Sequence, residues 1–369
     1  MKRVGIITLY HENSNYGGLL QSYALRKVIG ELGYECEQIC YDINSSIIKR
    51  IVNAIKNEVK KLIYGKLYRQ YLRRIKAVKK FELKIPHTKV VTDKKLSLLN
   101  KQFDAFVCGS DQIWNPIGWR SAYFLSFADK TKRKISYAAS IARDSLDQDE
   151  ATFLIQHIRD FYAISLRESE CIESINKIDG SLHIITMPDP TLLVKKDEWA
   201  DFVKDSDEND PYVFAYFLGG NEEYMEAAIS YAKKKELNIR FIGGLRYKNC
   251  KWEKKNQSFM KQEVDVPGFL SLIQNAQIVI TDSFHGAVFS IIFERPFVIL
   301  NRFQNEDRFS MNSRTWNLMK MMKLNRIVNN LDFESDYHYT ESEIESIRAG
   351  IKYQRAKGIS FLSQSLRGI

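Results

Sequence analysis

Long apolar runs are absent from this sequence. No stretch of about 18 consecutive apolar residues occurs in the 369-residue chain, which excludes a bilayer-spanning helix. Cysteine is scarce and scattered: Cys36, Cys40, Cys108, Cys171 and Cys250 make an odd set without a CxxC spacing. That argues against a disulfide framework and against a zinc site. HExxH, GxSxG and the Walker motif are missing, so nothing supports a zinc hydrolase, a serine esterase or a P-loop enzyme. No metal and no resident cofactor is expected. There is no low-complexity tract and no evident repeat. The opening MKRVGIITLY resembles a charged, apolar leader, but it breaks at His11-Glu12-Asn13 with no small-residue cleavage site. It reads as a first buried strand, and the protein as cytoplasmic.

What is present is a globular composition, 44% hydrophobic and 27% charged, at a length that suits two domains. The net charge of +10 is concentrated: thirteen Lys and Arg lie between Lys49 and Lys84 against only Glu58 and Glu82. Apolar residues at helical spacing there (Val59, Leu62, Ile63, Leu67, Tyr71) predict a basic amphipathic helix, or a helix pair broken near Gly65. Such a helix suits an anionic lipid surface, so peripheral contact with the inner membrane face is one expectation. A solvated helix face is the plainer alternative. Nucleic acid is not expected as a partner, because the rest of the chain has no matching basic groove.

Elsewhere short apolar runs alternate with helical patterns, the mark of an α/β fold. Strands are predicted at Val4–Leu9, Glu37–Tyr41, Phe103–Cys108, Lys134–Ala139 and Phe161–Leu166. A second series follows at Tyr212–Phe217, Ile239–Ile242 (ending in Gly243-Gly244), Gln277–Thr281 and Phe297–Leu300. Helices are predicted at Leu19–Leu32, Glu222–Glu236, Pro267–Asn275, Ala287–Phe293 and Glu341–Ser365. The expected architecture is two Rossmann-like domains facing a cleft, residues 1–185 and 186–335, with a C-terminal helix in 336–369 packing back on the first. Ligands of such sheets bind beyond the carboxyl ends of strands. That rule selects four loops: His11–Gly18, Gly109–Asn115, Ser165–Glu168 and Asp282–Gly286.

Each loop carries residues with chemical potential. His285 stands at a strand-to-helix turn beside Gly286, where free N–H groups and partial positive charge favour a phosphate or carboxylate. An imidazole there suits a general acid or an anion contact; local capping is the alternative. Arg167 follows a strand, and a guanidinium is the natural bidentate partner of such anions; an exposed pair with Glu168 or Glu170 is its alternative. GSDQIWNP combines Asp111, Gln112, Trp114 and Asn115, the carboxylate, amides and indole that sugar hydroxyls and ring faces require. A packed turn with Trp114 buried is the other reading. HENSNYGG holds polar side chains beside glycines without being GxGxxG.

The strings GIITLYHENSNYGGLLQSYAL, FDAFVCGSDQIWNP, ISYAASI, ISLRE, PDPTLL and VITDSFHGAVFSIIFERPFVIL together resemble the polysaccharide pyruvyl transferase family. The resemblance runs from residue 5 to about residue 300, with a fainter match at NSRTWNLMKMMKLNRIV. It implies a glycosyltransferase-B-like fold, phosphoenolpyruvate as a co-substrate rather than a cofactor, and a pyruvate ketal on a hexose, galactose-type, as product. A lipid-linked oligosaccharide is the implied acceptor. His285 and Arg167 fall on the family's catalytic and donor positions, with Ser283, Phe284, Gly286 and Arg314 around the donor. Asn15, Tyr16, Gly17, Ser110, Asp111, Gln112, Trp114 and Asn115 fall on the acceptor side. Many members carry Arg-Leu-His-Gly where this chain has Ser283-Phe284-His285-Gly286, and Arg314 is the residue placed to supply the missing charge. The alternative is a glycosyltransferase of the same fold that uses a nucleotide sugar.

Overall fold

Apolar runs too short for helices become buried parallel strands. The computed structural model describes residues 1–43, 47–203, 210–242, 250–304, 307, 310–328 and 337–369. Its first sheet contains β1 (Arg3–Ile7), β2 (Glu35–Gln38), β3 (Ala105–Cys108), β4 (Arg133–Ala139), β5 (Ala163–Leu166) and β6 (Ile184–Thr186). The second contains β7 (Tyr212–Tyr216), β8 (Asn238–Ile242), β9 (Ile278–Thr281), β10 (Phe297–Leu300) and β11 (Ile327–Val328). Every strand pair is parallel. The strand order is 2-1-3-4-5-6 in one sheet and 11-10-9-7-8 in the other. Counted from its own first strand, the second sheet repeats the order 2-1-3-4-5. Both sheets therefore reverse direction beside their first strand, and the crevices open after β1 and β3 and after β7 and β9.

The helices are α1 (Tyr16–Glu31), α2 (Ile47–Glu82), α3 (Gln148–Ile158), α4 (Glu170–Asn176), α5 (Lys196–Ala200) and α6 (Glu222–Lys234). They continue as α7 (Cys250–Lys255), α8 (Val266–Gln274), α9 (Phe284–Ile292), α10 (Ser313–Met322) and α11 (Glu341–Leu366). Caps explain where several begin. Asn15 accepts hydrogen bonds from the amides of Gly17 and Gly18, so α1 starts three residues earlier than apolar spacing predicts. Ser283 accepts from the Gly286 amide, so α9 starts at Phe284 rather than Ala287. β2 begins earlier and ends sooner than predicted, because Glu35 is already in register with Arg3. Strands β6 and β11 were not legible as strands, being short and only half-buried. The predicted turn at Gly243-Gly244 lies outside the described residues. Gly65 does break α2, with φ 52° and ψ −121°.

One apolar core joins the two sheets. Tyr16 of α1 stacks on Phe269 of α8 with ring centroids 4.5 Å apart, and its hydroxyl donates to the Val264 carbonyl. The same core takes in Trp199, Phe289 and Leu362. Helix α11 returns to the first sheet: Arg133 donates to the carbonyls of Ser365 and Arg367, and the Tyr34 hydroxyl to that of Leu366. Among the described residues no helix is long and apolar enough to cross a membrane.

Candidate active site

The loops that follow the strands at the two crevices meet between the sheets. Thr8, just after β1, donates its hydroxyl hydrogen to the Ser110 carbonyl, and the Ser110 amide donates to Gln21 Oε1. Gln21 Nε2 returns to Thr8 Oγ1 and to the Gly18 carbonyl. This buried network locks the loop after β3 to the first turns of α1. In the second sheet, Asp282 plays the equivalent part, accepting from the amides of Leu218 and Gly219 and from Arg302. The loop after β7 is thereby tied to the loop after β9.

The first turns of α1 and α9 then face each other. A methyl group built on Gly17 would lie 2.0 Å from Nδ1 of His285, so only glycine allows this approach. Gly286 is constrained in the same way by Thr281, whose Oγ1 would be 2.7 Å from an added carbon. Two helix N-termini converging on one point concentrate partial positive charge there.

Charged side chains complete the centre. Arg167 is almost wholly buried, and its Nη1 donates to Asp189 Oδ2 at 2.9 Å. Glu168 Oε2 is 3.7 Å from Arg167 Nε, so the predicted ion pair exists, but it is buried rather than exposed. Phe284 lies beneath the guanidinium, 4.3 Å from Cζ to ring centroid. Nε and Nη2 of Arg167 make no hydrogen bond among the described residues. His285 Nε2 is 3.5 Å from the same Asp189 oxygen. Asp189 is further fixed by the Thr191 amide and hydroxyl, and by the Ser110 hydroxyl at 3.4 Å.

Burial alone would raise the Asp189 carboxyl. His285, Arg167 and the Thr191 amide outweigh that and hold it well below the ordinary carboxylate range. Burial likewise opposes the Arg167 charge, and Asp189, Glu168 and Asp111 overcome it. Arg314 differs. Burial lowers it to about 9, the charges of Arg302 and Arg167 push the same way, and the weaker pull of Glu168 and Asp111 does not reverse the shift. Among the described residues no carboxylate forms an ion pair with it, and its Nε donates to the Met311 carbonyl. A buried guanidinium destabilised in this way favours an incoming anion.

A family profile for polysaccharide pyruvyl transferase matches residues 15–304, a span that contains Arg167, Asp189 and His285 and stops short of Arg314. The chain belongs to the polysaccharide pyruvyl transferase family. No curated protein matches it. Among solved structures it is similar to UDP-GlcNAc 2-epimerase from Neisseria meningitidis bound to UDP-GlcNAc, at 9% identity and TM-score 0.52, covering 99% of each chain. It is also similar to UDP-GlcNAc 2-epimerase from Methanocaldococcus jannaschii, at 14% identity and TM-score 0.47, covering 96% of this chain and 100% of that one. The corresponding enzyme from Rickettsia bellii gives 12% identity and TM-score 0.48, covering 100% and 99%. At such identities the likeness is one of fold: two Rossmann-like domains in the glycosyltransferase-B manner.

A cavity of about 290 Å³ opens beside the loops after β1 and β3, lined by Tyr10, His11, Asn13, Asn15, Asp111 and Gln112 among others, and not by Arg167, Asp189 or His285. The predicted acceptor residues divide around it. Asn15, Asp111 and Gln112 line the cavity. Trp114 does not: it is wholly buried, stacked on Phe124, with its indole N–H donating to the Tyr123 carbonyl. The packed-turn reading was the right one for that residue. Tyr16 and Ser110 are also buried, with their hydroxyls engaged by protein atoms. Asn115 caps the turn at Pro116–Gly118.

Sequence reasoning missed Asp189, Gln21 and Arg302. Asp189 lies within the PDPTLL string, but an Asp-Pro pair there reads only as a turn signal.

Proposed function

We propose that the protein transfers the pyruvyl unit of phosphoenolpyruvate to two hydroxyls of a hexose, galactose-type, in a polysaccharide or lipid-linked oligosaccharide. The observation that supports this most directly is the pairing of Arg167 and His285 on one Asp189 oxygen, at the meeting of two helix N-termini. Phosphoenolpyruvate carries a phosphate and a carboxylate, and two guanidiniums with two helix ends match that charge. Asp189 anchors Arg167 by a hydrogen bond and stands 3.5 Å from His285 Nε2, so its negative charge sets the two cation-forming groups side by side.

In the reaction a proton is added to the methylene carbon, which becomes methyl, and a sugar oxygen bonds to the neighbouring carbon. The bond from that carbon to the phosphate oxygen then breaks, and a second sugar oxygen closes the ketal. Of the two hydroxyl protons released, one balances the new methyl hydrogen and the other leaves with phosphate. His285 is the group assigned to proton delivery. Arg167 and Arg314 stabilise charge on carboxylate and phosphate as the bonds shift. Asp111, Gln112 and Asn15 offer the hydrogen bonds that orient sugar hydroxyls.

The test is to incubate the protein with phosphoenolpyruvate and lipid-linked oligosaccharide and seek the added pyruvate by mass spectrometry. Inorganic phosphate should appear only when donor and acceptor are both present. A second reading, a nucleotide-sugar glycosyltransferase, is supported by the fold shared with an epimerase bound to UDP-GlcNAc. Consumption of a UDP-sugar with phosphoenolpyruvate untouched would favour it.

A further inference from the structure

Helix α2 is built inside out. Its first arm, before the break at Gly65, contains Ile51, Val52, Ile55, Val59, Leu62 and Ile63. At about 100° per residue these six fall within an arc of roughly 120°. Such a stripe normally faces the core. Here every member is exposed: Leu62 is 85% accessible, Ile63 66%, Ile55 60% and Ile51 55%. The half-buried residues of the arm are instead Asn57, Lys60, Lys61 and Tyr64, which lie on the opposite side.

The bend at Gly65 produces this inversion. It folds the arm so that Asn57 Oδ1 accepts from the Tyr68 hydroxyl at 2.7 Å, and Lys60 Nζ lies 5.9 Å from the Tyr68 ring. The second arm is anchored to the body by Leu67, Tyr68, Val78 and Phe81, all buried. Arg74 belongs to this anchored side. It is buried over the Tyr16 ring and is no part of a basic outer surface.

We infer that the first arm of α2 docks on an anionic lipid surface. The stripe supplies aliphatic side chains for the acyl boundary. Lys56 on the arm, with Lys66 and Arg69 just past the bend, supplies exposed positive charge, and Glu58, the arm's acid, is paired with Lys61. The same charge disfavours a second copy of the chain as occupant, because two stripes meeting would bring basic flanks together without acidic partners. The inference rests on this helix and not on the reading of the cleft.

The experiment is co-sedimentation of the full-length protein with phosphatidylcholine vesicles, with and without phosphatidylglycerol, at low and high salt. Binding to the anionic vesicles at low salt is expected to exceed binding to neutral ones at least tenfold and to fall as salt rises. Leu62→Ser with Ile63→Ser, and separately Lys56→Glu with Lys66→Glu, should each cost tenfold or more in binding, with melting temperature unchanged because all four side chains are exposed. Failure of the wild type to bind anionic vesicles at low salt would overturn the inference, as would variants that bind like wild type. Concentration-dependent self-association in sedimentation velocity, abolished by the serine pair, would assign the stripe to a second copy instead. Phosphate release with a water-soluble acceptor reads the cleft separately and should be the same in all variants.

Discussion

Gly17 rests against the imidazole of His285, so closely that a single methyl group at position 17 would stand 2.0 Å from Nδ1. The two residues lie in the first turns of helices from different sheets, and their contact fixes how closely the two sets of loops approach. Gly17→Ala is therefore expected to fold but to displace the ring or widen the cleft. Turnover at saturating donor should fall tenfold or more, and steady-state kinetics would reveal it. Wild-type rates in this variant would mean that the position of the ring is immaterial to the reaction.

Arg167 separates two kinds of loss. Arg167→Ala leaves Asp189 and Glu168 as buried carboxylates without their cation, and breaking a buried pair costs about 3–5 kcal/mol. A marked fall in denaturation midpoint is expected. Arg167→Lys keeps the charge and loses the planar fork. It should fold near normally and lose roughly ten- to a hundredfold in kcat/KM, about the value of a charged hydrogen bond. A lysine variant with unchanged kinetics would remove Arg167 from donor binding.

His285→Asn tests the assigned proton delivery. A loss of about 10² or more in kcat at saturating phosphoenolpyruvate is expected of a general acid. If the loss appears only in donor KM, the imidazole is an anion contact and the acid lies elsewhere.

Acid should loosen the C-terminal helix. Hydrogen bonds from Arg348, with burial opposing and Lys196 assisting, depress the Glu294 carboxyl to about 2 from an ordinary 4.5. A carboxyl depressed on folding stabilises the protein above its unfolded value, and the benefit is lost as pH falls through the folded one. Glu294→Gln should thus lower stability at neutral pH. The difference from wild type should shrink as pH falls from about 4.5 towards about 2. Denaturant titrations at several pH values would show the convergence, and a gap constant with pH would rule out the linkage.

Much of the α/β alternation could be read from the chain, because buried parallel strands such as Ile278–Thr281 are nearly continuous apolar runs. So could the placement of Arg167 and His285 beyond strand ends, the one in the loop after β5 and the other in the first turn of α9. Asp189 could not. Its partners lie 22 and 96 positions along the chain, and only the assembled sheets bring them together. Trp114 misled for a related reason. An indole beside carboxamides suits a sugar, but the same side chain fills a core equally well, and composition does not say which way it points. The exposed stripe of α2 was hidden too: its pattern is that of any amphipathic helix, and the bend at Gly65 is what turns the apolar side outward.

The return of α11 to the first sheet has a consequence for synthesis. Gly358 sits where an added carbon would be 2.4 Å from the Tyr137 hydroxyl, and Arg355 and Lys357 donate to carbonyls at Leu193, Val194 and Thr186. All six strands of the first sheet leave the ribosome long before these contacts can form. The nascent first half therefore carries an open flank for as long as the remaining residues take to be made. It closes only when the residues around Gly358 have emerged, so the first sheet cannot finish folding before the second has been made.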